Sequence, residues 1–132
     1  MKKKFYILLV ILSFLVNGTA FAQKCQEEDK PMKKIVQTAG KDQLGSFAPE
    51  FAHFNDDVLF GENWNNTDID LKTRSIITVV SLMSQGITDN SLKYHLQNAK
   101  NHGVTKSEIV AIITHCALYM GWPKAWATFN LA

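Results

Sequence analysis

The chain has 132 residues, of which 46% are hydrophobic, 14 are Lys or Arg, 12 are Asp or Glu and two are Cys. That length admits one domain with a modest core beyond any leader. The net charge of +2 comes without a basic stripe, which excludes a nucleic-acid footprint.

The N-terminus reads as an export signal. Lys2, Lys3 and Lys4 precede an apolar run from Phe5 to Val16 that only Ser13 interrupts. Asn17 and Gly18 break the run, and Ala20-Phe21-Ala22 supplies an A-x-A cleavage site. A spanning helix needs roughly 20 apolar residues, so the run is too short for a membrane anchor. Lys24 before Cys25 excludes a lipoprotein signal. The expected domains are therefore a signal peptide at 1–22, a polar segment at 23–38 and a folded domain at 39–132. Removing the three signal lysines leaves 11 Lys and Arg against 12 Asp and Glu, so the exported chain is near neutral. Export permits a disulfide between Cys25 and Cys116, but the polar tail around one and the apolar helix around the other favour two separate thiols.

Along the chain, Met32 to Thr38 reads as a short helix ended by Gly40. Ser46 is placed to cap a second helix with Pro49 in its first turn. Phe47, Phe51, Phe54, Val58 and Leu59 recur at helical spacing and predict an aromatic inner face. Gly61 to Asp68 is a polar connection holding Trp64, with Thr67 or Asp68 as the next cap. Ile76, Ile77, Val79, Val80, Leu82 and Met83 make the following helix apolar nearly all round, as expected of a buried centre or an interface. Gly86 ends it. Thr88 opens a helix carrying Leu92, Leu96 and Ala99, with Gly103 at its C-terminus. Thr105-Lys106-Ser107-Glu108 is a capping box ahead of Ile109, Ile112, Ile113, Cys116 and Met120. Gly121-Trp122-Pro123 breaks that helix, and Pro123 opens a last short one through Trp126 and Phe129. No segment alternates with period two, so the fold class is all-α with antiparallel neighbours.

The polar residues on these helices have two readings each. Glu108, Ala111, His115 and Tyr119 form one edge of an apolar stripe. His115 is either a core histidine bonded to a carbonyl or a proton donor. Ser91, His95 and Asn98 or Ala99 form a similar edge beside Leu92 and Leu96. A histidine on each of two helices that meet across a core suits proton transfer near neutral pH. Arg74 is either an exposed first-turn arginine or a clamp for a carboxylate. Glu62 is a surface acid or a catalytic one. His53 and His102 are expected to face solvent. The histidine spacings match no common metal site, and there is no phosphate loop, so neither metal nor cofactor is expected.

Three stretches resemble a known family. They are Ala39 to Gly45 with Asn55 to Trp64, then Asp70 to Val79, then Tyr94 to Ala99 and Gly103 to Ile109 through His115 to Tyr119-Met120-Gly121-Trp122-Pro123. Together they resemble the carboxymuconolactone decarboxylase family, over about 39–132. The resemblance implies an all-α domain of the type shared with alkylhydroperoxidase D proteins, assembled as homotrimers or homohexamers. One branch of the family decarboxylates a carboxylated muconolactone without a cofactor. The other is a thiol peroxidase built on C-x-x-C, a following histidine and an upstream acid. The family histidine corresponds to His95, which puts Thr88 and Ser91 at the thiol positions, and no acid stands between Asp70 and Asp89. The dithiol mechanism needs a thiolate and so does not transfer. Family members usually run another helical turn or two beyond the region of Phe129, so a short final helix is expected.

The implied function is cofactor-free decarboxylation of a small carboxylated lactone or acid. Arg74 holds the carboxylate, and His95 or His115 stabilises the resulting charge and returns a proton. Glu62 or Tyr119 orients a histidine, while Trp64 and Trp122 wall the pocket. The alternatives are a peroxiredoxin-like antioxidant relying on Cys116 and a non-enzymatic exported oligomer that binds a small acid or a protein. Neither nucleic acid nor a lasting membrane anchor figures among the expected partners.

Overall fold

Short polar side chains decide where the helices of this chain begin. The computed structural model describes residues 34–132. The signal sequence, most of the polar segment and Cys25 lie outside the described residues. Ile35–Ala132 forms one unit, helical throughout, with no strand among the described residues.

The first helix, α1, spans Ala39–Leu44. The helix expected before Gly40 is thus displaced: Lys34 to Thr38 has no regular secondary structure, and Gly40 lies inside the helix. The carboxylate of Asp56, 2% exposed, caps α1 from a distance. It accepts the backbone N–H of Gly40 at 2.9 Å and of Lys41 at 2.7 Å. A Cβ at Gly40 would stand 2.7 Å from that carboxylate, so the approach requires glycine.

Helix α2, Pro49–His53, starts on Pro49 as expected, but its N-cap is Ala48 and Ser46 takes no part. It runs straight into a π-helical segment, Phe54–Glu62. Ala52 of α2 and Asp56 and Phe60 of this segment, spaced by four, lie on the buried side. The expected aromatic inner face is accordingly absent: Phe47 is 88% exposed, and Phe51 and Phe54 are also exposed. Phe47 lies in the turn before α2 and Phe51 within α2, so only from Phe54 onward do i→i+5 bonds depart from a reading at 3.6 residues per turn. A 3₁₀ turn, Asn63–Asn65, follows and carries the buried Trp64.

Asp70, not Thr67 or Asp68, caps α3, Leu71–Gln85, accepting the Thr73 N–H at 2.8 Å. Asp89, not Thr88, caps α4, Asn90–Asn101, accepting from Ser91. A carboxylate at an N-cap is worth about 1 kcal/mol over alanine. The expected capping box is present at Thr105 and Glu108, opening α5, Lys106–Met120. Helix α6, Trp122–Phe129, has Pro123 in its first turn. Gly86, Gly103 and Gly121 turn the chain between these helices with φ of 78°, 89° and 94°.

The core has two parts. Val79 of α3 meets Leu92, Leu96 and Ala99 of α4 and Val104. Met83 meets Ile113 and Ala117 of α5 and Ala125 of α6. Helix α3 buries one side only, at Ser75, Val79 and Met83, and Ile77 remains exposed. Among the described residues no helix is long and apolar enough to cross a membrane.

Candidate functional site

Trp64 is the centre of the polar chemistry. The π-helical segment delivers it, and Asn65 fixes the turn. The Asn65 side chain accepts the Ile35 N–H at 2.7 Å and donates to the carbonyls of Ile35, Phe60 and Gly61 at 2.9 Å each. Those bonds occupy the carbonyls left open where the helix ends. The indole is 3% exposed and lies against Phe60, with ring centroids 5.9 Å apart.

His95 stacks on the same indole at 6.0 Å with planes 17° apart. Tyr94 meets the His95 ring edge-on at 5.2 Å, and the Tyr94 hydroxyl accepts from Gln37 at 3.1 Å. The His95 Nδ1 is buried and has no hydrogen-bond partner within the protein. Burial pushes the imidazole below the ordinary histidine value and favours its neutral form.

Arg74 binds the two ends of the Trp64 turn. One terminal nitrogen donates to Asn63 Oδ1 at 3.2 Å and the other to the Asn66 carbonyl at 3.0 Å. Its Nε is buried without a partner. The guanidinium is therefore neither a free surface cation nor a wholly open clamp. Two of its nitrogens hold the turn, and the third keeps an N–H to give.

His102 is a residue that sequence reasoning missed. It was expected to face solvent, yet its ring lies 6.0 Å from the Trp64 indole and its Nδ1 is 2.7 Å from Ser75 Oγ. Burial also holds His102 below the ordinary histidine value. The available signal was spacing: His102 follows His95 by seven residues, which is two helical turns on one face.

The other expected site residues are exposed and join none of these contacts. His115 and Tyr119 contact each other at 5.1 Å, but both are exposed on α5. The stripe that α5 buries runs through Ile109, Ile113, Cys116, Ala117 and Met120, which leaves His115 off its edge. Trp122 is exposed at the start of α6, and Glu62 is exposed at the end of the π-helical segment. Glu108 is committed to structure, accepting from Lys72 at 2.7 Å and from Thr105, which holds its carboxyl down at about 2. His53 is exposed as expected and pairs with Asp57 at 2.8 Å. Among the described residues no three His, Cys, Asp or Glu side chains gather as a metal site would require. Cys116 is half-buried, and burial pushes its thiol up, away from thiolate.

Taken together, a buried indole carries one unpartnered imidazole nitrogen, with an unpartnered guanidinium N–H beside the same turn. Taken singly, a guanidinium N–H left to donate suits an anion, and a neutral imidazole nitrogen suits proton exchange. Residues 49–132, which include Trp64, Arg74, His95 and His102, match the carboxymuconolactone decarboxylase family. The chain is 35% identical over 91 residues to a 4-carboxymuconolactone decarboxylase of Acinetobacter baylyi, covering 69% of this chain and 67% of that protein. It is 26% identical over 104 residues to an uncharacterized 15.0 kDa protein of Paracoccus denitrificans, covering 78% and 69% respectively. The chain belongs to the carboxymuconolactone decarboxylase family.

Proposed function

We propose that this protein is an exported, cofactor-free decarboxylase of a small carboxylated lactone or related acid. The observation that carries the reading is the His95 imidazole, stacked on buried Trp64 with Nδ1 buried and unpartnered. A buried polar atom without a partner costs about 1–3 kcal/mol, and a ligand that satisfies it recovers that cost. The 35% identical relative acts on 4-carboxymuconolactone, which supports a carboxylated lactone as the substrate class.

In this mechanism the substrate carboxylate takes the Arg74 Nε–H. Its negative charge raises the proton affinity of the neighbouring histidine, so His95 becomes protonated when substrate is seated. The C–C bond to the carboxylate breaks, carbon dioxide leaves, and the bonding pair remains as an enolate on the lactone. His95 then delivers its proton to that carbon. General acid catalysis of this kind contributes typically ~10²–10⁴ in rate. Trp64 keeps water from the carbanion.

His115, Tyr119 and Trp122 belong to a different role in this reading. Tyr119 and Trp122 lie with Leu118 and Trp126 among the exposed apolar side chains of α5 and α6, and His115 is exposed beside Tyr119. Large exposed aromatic residues of this kind suit self-association, in keeping with a homo-oligomer. Export rests on the signal sequence at 1–22. A peroxidase reading is disfavoured, because Thr88 and Ser91 carry no thiol and the Cys116 thiol is shifted away from ionisation.

The test is carbon dioxide release from 4-carboxymuconolactone by the purified full chain, compared with His95→Ala and with His115→Ala. Loss in the first and retention in the second support the reading. Equal turnover in wild type and His95→Ala removes His95 from the chemistry.

A further inference from the structure

Ser75 is 1% exposed and its hydroxyl has a single hydrogen. Two groups stand near its Oγ: the Leu71 carbonyl at 2.7 Å and His102 Nδ1 at 2.7 Å. A carbonyl oxygen can only accept. If the hydroxyl gave its hydrogen to His102, the Oγ and the Leu71 oxygen would face each other at 2.7 Å with no proton between them. The arrangement closes in one way: Ser75 donates to Leu71, and His102 Nδ1–H donates to Ser75. Neutral His102 therefore carries its proton on Nδ1 and its lone pair on Nε2.

His95 and His102 are seven residues apart on one helical face, about 10 Å along the axis. The Trp64 indole spans that interval, with each imidazole centroid 6.0 Å from its own. One indole thus has a locked imidazole at one contact and an unpartnered imidazole at another. Helix α3 supplies both fixings, since Ser75 holds His102 and the adjacent Arg74 holds the turn that carries Trp64.

We propose that His102 is a positioning residue of this site: Ser75 locks its tautomer, and the locked ring holds Trp64 in place beneath His95. This rests on the reading of His95 as the working group. Loss of the His102 ring frees the indole on one side, admits water to His95 and returns the His95 imidazole toward its ordinary proton affinity.

The test is nitrogen-15 NMR of the histidine side chains in the full chain across pH, without substrate. The expected result is His102 as the Nδ1–H tautomer when neutral. In His102→Ala the titration midpoint of His95 rises by about half a pH unit or more. His102→Asn, whose amide can still bond Ser75 but which lacks the ring, leaves the His95 midpoint raised as in His102→Ala. If His102→Ala proves unfolded, Ser75→Ala keeps the ring, removes only the lock and must still shift the His95 midpoint. An Nε2–H tautomer at His102, or a His95 midpoint unmoved in a folded His102→Ala protein, overturns the proposal. None of these readouts needs turnover, so their failure leaves the decarboxylation reading standing. Conversely, an inactive protein with the expected NMR behaviour counts against decarboxylation alone.

Discussion

His95 lies over Trp64 with ring planes 17° from parallel and centroids 6.0 Å apart, and the imidazole Nδ1 is sealed from solvent with no protein partner. An aromatic contact of this type is worth about 0.5–1.5 kcal/mol beyond the area it buries. It also fixes the imidazole plane, which a proton donor to carbon requires. The consequences can be tested one at a time.

Trp64→Ala should be costly in two ways. Removing a buried tryptophan costs about 3–5 kcal/mol, a large part of the stability of a domain this size. The indole also contacts Phe60, His95 and His102, so its loss unseats both histidines. Thermal unfolding should show a marked fall in midpoint. Trp64→Phe should keep more stability while lowering kcat. A Trp64→Ala protein with wild-type midpoint would place the indole outside the core.

Stability should decline on mild acidification. Burial holds His95 and His102 below the ordinary histidine value of 6.5, so each binds fewer protons folded than unfolded. Their contribution is fully present above about 6.5 and is lost as pH falls through the lowered folded value. Denaturant midpoints measured between about pH 7 and pH 5 should fall, and the slope should be shallower in a His95→Gln, His102→Asn double variant. A midpoint that rises on acidification contradicts this assignment.

Gly40→Ala should destabilise the N-terminal part of the domain. The added methyl carbon would stand 2.7 Å from the Asp56 carboxylate and 3.1 Å from the Ala52 backbone. Overpacking of this kind costs about 1–3 kcal/mol. Hydrogen exchange at α1 should accelerate, because the carboxylate that caps Gly40 and Lys41 is pushed aside. Unchanged exchange there would mean that the helix accommodates the methyl group.

Cys116→Ser should leave any peroxide consumption unchanged. The thiol is half-buried in the apolar stripe of α5, and burial disfavours its thiolate. A peroxidase activity that vanished with this substitution would revive the antioxidant reading.

Much of the helix pattern was readable from the residues, and so were parts of the site. The capping box at Thr105 and Glu108 and the glycine stops at Gly86 and Gly103 follow local rules and stand where those rules put them. Trp64, Arg74 and His95 were each singled out, and they converge on one turn. The stripe expected through Phe47, Phe51 and Phe54 fails because Phe47 lies in a turn outside any helix and Ala52, Asp56 and Phe60 face inward instead, the last two in a π-helical segment that does not follow the 3.6-residue period. The caps Asp70 and Asp89 stand beside other side chains that suit the position equally, Thr67 and Asp68 near one and Thr88 near the other, so local pattern does not choose between them. His102 was hidden because its partner, Ser75, sits 27 residues away on another helix, a relation no local pattern encodes.

The most direct measurement of the central claim is the rate of carbon dioxide release from 4-carboxymuconolactone by the wild-type chain and by His95→Ala, each verified as folded. The account predicts turnover by the wild type and a fall of at least ~10² in kcat in the variant. Wild-type turnover that survives intact in His95→Ala, or a folded wild-type protein that releases no carbon dioxide from this substrate or related carboxylated lactones, would contradict it.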